Sequence, residues 1–185
     1  MLIARSTQEA HLYMDLHACE CGATEFAREH RLEERDGALV AVYEGACPQC
    51  GRVRSFAFVM TDELPPAPPA FGGAEPSGII DPGEFLWVAD QVGTDAGLRL
   101  LNVPPAGQRE HRPGMEYALA AVDEVLKFLP EGADSIPEER FTSERGRELY
   151  RKDPTRFSRV WLLDNQARKR RILAGVDRFS PPEGV

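Results

Sequence analysis

Four cysteines are the residues in this chain whose types and spacing point to chemistry. They stand as Cys19-Glu20-Cys21-Gly22 and Cys47-Pro48-Gln49-Cys50-Gly51. Two close pairs separated by 25 residues suit one tetrahedral cation that takes two thiolates from each pair. Four thiolates close the tetrahedron and leave no position for water, so the expected ion is a structural zinc at Cys19, Cys21, Cys47 and Cys50. A four-thiolate iron centre is the alternative that soft donors allow. Two disulfides are a poorer reading. A Cys19–Cys21 bridge would be strained, and a reducing cytosol opposes stable disulfides. Metal-bound thiolates are also open to oxidation with loss of the ion, which leaves a small place for redox sensing. His17, two residues before Cys19, could be a substitute ligand, but four cysteines already fill the tetrahedron, so it reads as an unliganded histidine beside the knuckle.

The elements around the cysteines fit that chemistry. A glycine follows the second cysteine of each pair, where a turn aiming two sulfurs at one ion often needs positive φ. Pro48 presets φ at the start of the second turn. Between the pairs, Thr24 to Glu34 reads as one strand, Asp36-Gly37 as a hairpin turn, and Ala38 to Glu44 as the returning strand. Val53, Phe56, Phe58 and Val59 mark a third strand. Two knuckles around a hairpin, then another strand, resemble the zinc-ribbon family over residues 17–60. The Cys19-Glu20-Cys21 pair is one residue tighter than the commonest form. The resemblance implies a small antiparallel ribbon and a metal, but no particular activity. Ahead of the ribbon, Ser6-Thr7-Gln8-Glu9 matches a capping box and predicts a short helix from Thr7 to about Tyr13.

Beyond the ribbon the pattern turns helical. Residues 62–80 hold four prolines within Pro65–Pro69 and read as a stiff connector. Asp81 and Pro82 suit the N-cap and first position of a helix carrying Phe85, Leu86, Val88 and Ala89. Met115, Leu119, Val122, Leu126 and Leu129 fall at helical spacing between Pro113 and Pro130. Asp123 and Glu124 read there as a solvated face. Phe141 to Lys152 predicts a further helix capped by Thr142 or Ser143. Asp153-Pro154 is expected to start a last helix running to about Ala174. Its buried stripe is read as Phe157, Val160, Trp161, Leu163 and Ala167, with Arg168-Lys169-Arg170-Arg171 complementing its C-terminal end. The fold class expected is therefore α+β: a short helix plus zinc ribbon over 1–61, a connector over 62–80 and a helical domain over 81–185.

Composition narrows the function without naming it. The 185 residues carry a net charge of −8, unevenly placed. Residues 1–61 hold nine acids and six bases, residues 62–140 fifteen and five, and residues 141–185 six and eleven. The acidic middle opposes nucleic acid, while the basic C-terminal part keeps that alternative open. No run of apolar residues long enough for a membrane span and no secretory leader is visible, so a cytoplasmic location is expected. No nucleophile elbow, phosphate loop, dinucleotide fingerprint or zinc-protease helix occurs. Glu110-His111 could form an acid–base pair in a loop, but an isolated histidine there reads as surface, and no catalytic residue is assigned. The leading expectation is a non-catalytic protein-binding module, an adaptor or an immunity-type inhibitor of a protein partner of basic character. The alternative is a nucleic-acid-binding regulator that uses the ribbon and the basic C-terminal helix.

Overall fold

A computed structural model describes residues 1–61 and 66–180. The fold is α+β, and the chain divides into two compact units, Met1–Ile79 and Ile80–Val185.

The first unit is built on a four-stranded sheet of β1 (Leu2–Ala4), β2 (Glu29–Arg35), β3 (Ala38–Ala46) and β4 (Val53–Met60), in the order β1-β4-β3-β2. β2, β3 and β4 form an antiparallel ribbon, and β1 adds to β4 in parallel. Three residues are too short a run to show an alternating pattern, which is why β1 was not expected. The β2–β3 turn is the anticipated Asp36-Gly37, both at positive φ (52° and 77°), as a two-residue hairpin whose twist matches its strands requires.

Helix α1 (Thr7–Leu16) lies on one face of the sheet. Met14 and Ala10 pack there with Ala4, Phe26, Ala41, Tyr43 and Phe58. Ser6 caps α1 by accepting from the Glu9 amide at 3.0 Å. The Glu9 carboxylate, fully buried, departs from the capping box. It accepts from the Arg5 amide at 2.6 Å and from the Arg5 guanidinium at 2.6 and 3.0 Å. Of the expected connector, residues 62–65 lie outside the described residues. Residues 66–79 belong to this first unit: Phe71 is fully buried, and its carbonyl accepts from the Ser6 hydroxyl at 2.8 Å.

The strand expected from Thr24 begins five residues later, at Glu29. Residues 24–28 instead cross over β3. At Gly45 an added Cβ would sit 1.7 Å from the Ala27 carbonyl oxygen, so the crossing exists only because residue 45 has no side chain.

The second unit is helical: α2 (Pro82–Asn102), α3 (Arg112–Lys127), α4 (Glu144–Lys152) and α5 (Arg159–Phe179), with short 3-10 turns between them. Ala96 and Leu100 of α2, Met115 of α3, and Leu173 and Val176 of α5 share one core. Asp81 sets the start of α2 and of α4 together. One carboxylate oxygen accepts from the Glu84 amide at 2.9 Å, the other from the Ser143 amide at 2.7 Å. Ser143 in turn caps α4 by accepting from the Gly146 amide.

Four helical readings need correction. Asp153-Pro154 opens a 3-10 turn (Pro154–Phe157), and α5 starts later, capped by Ser158. The inward face of α5 is Leu162, Asn165, Lys169, Leu173 and Val176; Val160 is 81% exposed and Leu163 46%. Because polar residues occupy two of the inward positions, hydrophobic spacing selected the wrong stripe. The basic run lies mid-helix, with two further turns after it, so it does not complement a helix terminus. On α3, Glu124 is not solvated: it is buried and paired with Lys127, while Asp123 accepts from Gln166.

Candidate metal centre

The two knuckles use the same backbone device. In the first, the Cys19 amide donates to the Ala23 carbonyl at 2.8 Å and the Gly22 amide to the Cys19 carbonyl at 2.7 Å. In the second, the Cys47 amide donates to the Arg52 carbonyl at 2.8 Å and the Gly51 amide to the Cys47 carbonyl at 2.9 Å. Gly22 and Gly51 take φ of 90° and 73°, a region that side chains with a Cβ seldom adopt. Each turn folds its two thiols to one side.

The four sulfurs then meet. Cys19 Sγ lies 3.6 Å from Cys50 Sγ, and Cys21 Sγ 3.5 Å from Cys47 Sγ. All four lie within 4.8 Å of one another. A tetrahedral ion with metal–sulfur bonds of about 2.3 Å separates its sulfurs by about 3.8 Å, so the cluster can hold a metal ion with small adjustments. No disulfide joins the cysteines, all four of which are free thiols. Cys19 and Cys47 are buried and Cys21 and Cys50 exposed, so the centre sits at the edge of the ribbon with one side toward solvent.

The thiols feel one another strongly. The Cys50 amide, followed by that of Gln49, holds the Cys47 thiol down to about 6. At Cys50 the Arg52 amide pulls downward, but the sulfurs of Cys21 and Cys19 push it up to about 12. Such a crowd of sulfurs cannot lose all its protons without a compensating cation.

Arg54 of β4 fixes the first knuckle to the sheet. It is 6% exposed. Its guanidinium donates to the Thr24 carbonyl at 2.6 Å, the Met14 carbonyl at 3.2 Å and the His17 carbonyl. It also lies 4.3 Å from the Phe26 ring centre. The end of α1, which enters the knuckle, and the chain that leaves it are thus tied to one side chain. Sequence reasoning missed Arg54, because a single arginine in a strand reads as solvent-facing. Across the knuckles, Arg52 pairs with Glu20, both exposed, where solvent screens the attraction.

The histidines His17, His11 and His111 are not part of the cluster. His17 is the C-cap of α1: its Nδ1 lies 2.7 Å from the Tyr13 carbonyl, and its ring stacks on Tyr13 at 3.8 Å. It is not a member of the metal-binding group. His11 packs edge-on against Tyr43. Burial lowers its pKa, with Arg28 acting in the same direction. Glu110 and His111 lie in the 3-10 turn Pro105–His111, ahead of α3. Among the described residues no helix is long and apolar enough to cross a membrane.

Compared with protein-family models, curated proteins and solved structures, the chain matches none.

Proposed function

We propose that this chain is a non-catalytic protein-binding module, an adaptor or immunity-type inhibitor, whose ribbon is pinned by a structural zinc ion at Cys19, Cys21, Cys47 and Cys50. Four thiolates with no other donor in the group favour zinc over harder cations, and a closed donor set favours a structural role over a catalytic one.

The observation that carries the binding role is the free edge of β2. Among the described residues it pairs only with β3, so its other side offers backbone donors and acceptors to an added strand. Leu32, 57% exposed, gives that edge an apolar anchor. Arg31, Glu33 and Arg35 form an ion-pair ladder there, with Glu33 between the two arginines. Charges at a sheet edge suppress indiscriminate pairing and select a partner with matching charges. The net charge of −8 favours a basic one. The nucleic-acid alternative has less support: on α5, Arg168 and Arg170 each face an aspartate, Asp164 and Asp123, and Lys169 points inward.

The test is a pull-down from native lysate with the metal content of the same sample measured, together with salt titrations against generic DNA and RNA. One zinc per chain and a stoichiometric protein partner are expected. Tight, steeply salt-dependent binding to nucleic acid, or purified unoxidised protein without metal, would overturn the reading.

A further inference from the structure

The second unit contains a cleft between α2 and α5 that the metal centre does not use. It measures about 300 Å³, and its lining includes Gly93, Met115, Trp161, Asn165, Lys169 and Ile172. That volume is at the small end of natural ligand sites and suits a molecule of about one ring.

Lys169 is the feature that needs explaining. It is 9% exposed, on the inward face of α5. Its Nζ donates to Asn165 Oδ1 at 2.7 Å, and Asn165 is itself 6% exposed. An ammonium has three donors, and among the described residues no carboxylate lies within ion-pairing distance of this one. Gly93 makes room for it: a Cβ there would come 3.3 Å from Lys169 Cε and 3.5 Å from Nζ. The other charges around the cleft are matched. Asp90 pairs with Arg156 at 2.5 Å and Asp164 with Arg168 at 3.2 Å. Among the described residues lining the cleft, Lys169 is the charge without an ion pair of its own, Asp90 acting on it only from beyond ion-pairing distance.

A buried ammonium with only a neutral partner costs stability, and an anion entering beside it returns that energy. Burial accordingly lowers the lysine's pKa, with Arg168 and Arg156 adding to the effect and Asp90 opposing it. One unmatched positive charge suits one negative charge. A dianion such as phosphate would set its second charge against Asp90. Trp161, Met115 and Ile172 supply apolar surface beside the charge, and apolar walls with a few convergent polar groups are the usual make-up of a small-molecule site.

We propose that this cleft binds a small monocarboxylate with a flat apolar body, the carboxylate on the Lys169 ammonium and the body against Trp161, Met115 and Ile172. The role is separate from that of the ribbon, and it stands or falls without it.

The test titrates benzoate, and benzamide as its uncharged analogue, into the full ¹⁵N-labelled chain and follows amide shifts. Saturable benzoate shifts are expected, concentrated in residues 89–94 and 161–172, with benzamide at least about tenfold weaker. Lys169→Met keeps the length of the side chain and removes its charge; it should weaken benzoate at least about tenfold and leave benzamide unchanged. Non-saturating shifts, shifts centred elsewhere, or equal binding of benzoate and benzamide would overturn the proposal. The benzoate–benzamide comparison on the unaltered chain decides the matter even if the variant does not fold.

Discussion

Replacing Arg54 with methionine should loosen the proposed metal centre without touching a cysteine. Arg54 supplies hydrogen bonds to three carbonyls, those of Thr24, Met14 and His17. Bonds to a charged donor contribute about 1.5–3 kcal/mol each, net of exchange with water. Its stacking on Phe26 at 4.3 Å adds about 1–2 kcal/mol. Against this stands the cost of burying a guanidinium, several kcal/mol, which methionine does not incur. Water can reach the carbonyls of Thr24 and His17 once the arginine is gone, since those bonds are part-buried, whereas the bond to Met14 is buried. The balance is a loss of about 3 kcal/mol, dominated by unpaired carbonyls.

That loss falls where the first knuckle meets the sheet. If the metal must then order the knuckle itself, its affinity drops by up to about 10²-fold, since each 1.4 kcal/mol is a factor of ten. Competition against a chromophoric zinc chelator reads the affinity, and thermal unfolding of the metal-loaded chain reads the stability. Arg54→Lys should fall between the two, because an ammonium keeps the charge but cannot span three carbonyls in a planar fork. Zinc affinity within threefold of the unaltered chain, together with an unchanged Tm, would refute the argument.

Other outcomes follow from the same geometry. Gly45→Ala should destabilise the first unit by at least about 3 kcal/mol, the upper end of ordinary overpacking, because the Cβ meets a backbone oxygen; urea unfolding measures it. Asp81→Ala should cost the second unit about 2–4 kcal/mol, since it removes a helix cap and leaves the Ser143 amide unpaired; the same unfolding measurement, read by helical circular dichroism, checks it. Glu84 carries a pH signature: burial, with Asp81 adding to it, raises its carboxyl above 4.5. Between that ordinary value and the raised one, the folded chain binds more protons than the unfolded chain, so this group's contribution to stability falls as pH rises through the window. Glu84→Gln cannot titrate. The stability of the variant relative to the unaltered chain should therefore improve from pH 4 to pH 7, and a constant difference would contradict the assignment.

The sequence by itself determined the local chemistry. Cysteine spacing, the two knuckle glycines, the Asp36-Gly37 turn and the caps at Ser6, Asp81 and Ser143 all act within a few residues. Their physics needs no distant partner, and the α+β class follows from them and from the helical spacing after residue 80. Tertiary structure decided whatever depends on residues far apart in the chain. Gly45 matters only because Ala27 passes over it, and Arg54 only because three carbonyls from two other segments end beside it. The parallel strand β1 exists only because β4 offers it an edge. Lys169 shows the difference most clearly. In sequence it belongs to a basic run and reads, with its neighbours, as complementing the C-terminal end of the last helix. On the folded helix its position, one turn beyond Asn165, turns it inward, because side-chain direction follows the 3.6-residue period and the rotation of α5 is fixed by Leu162, Leu173 and Val176 packing elsewhere along the same face.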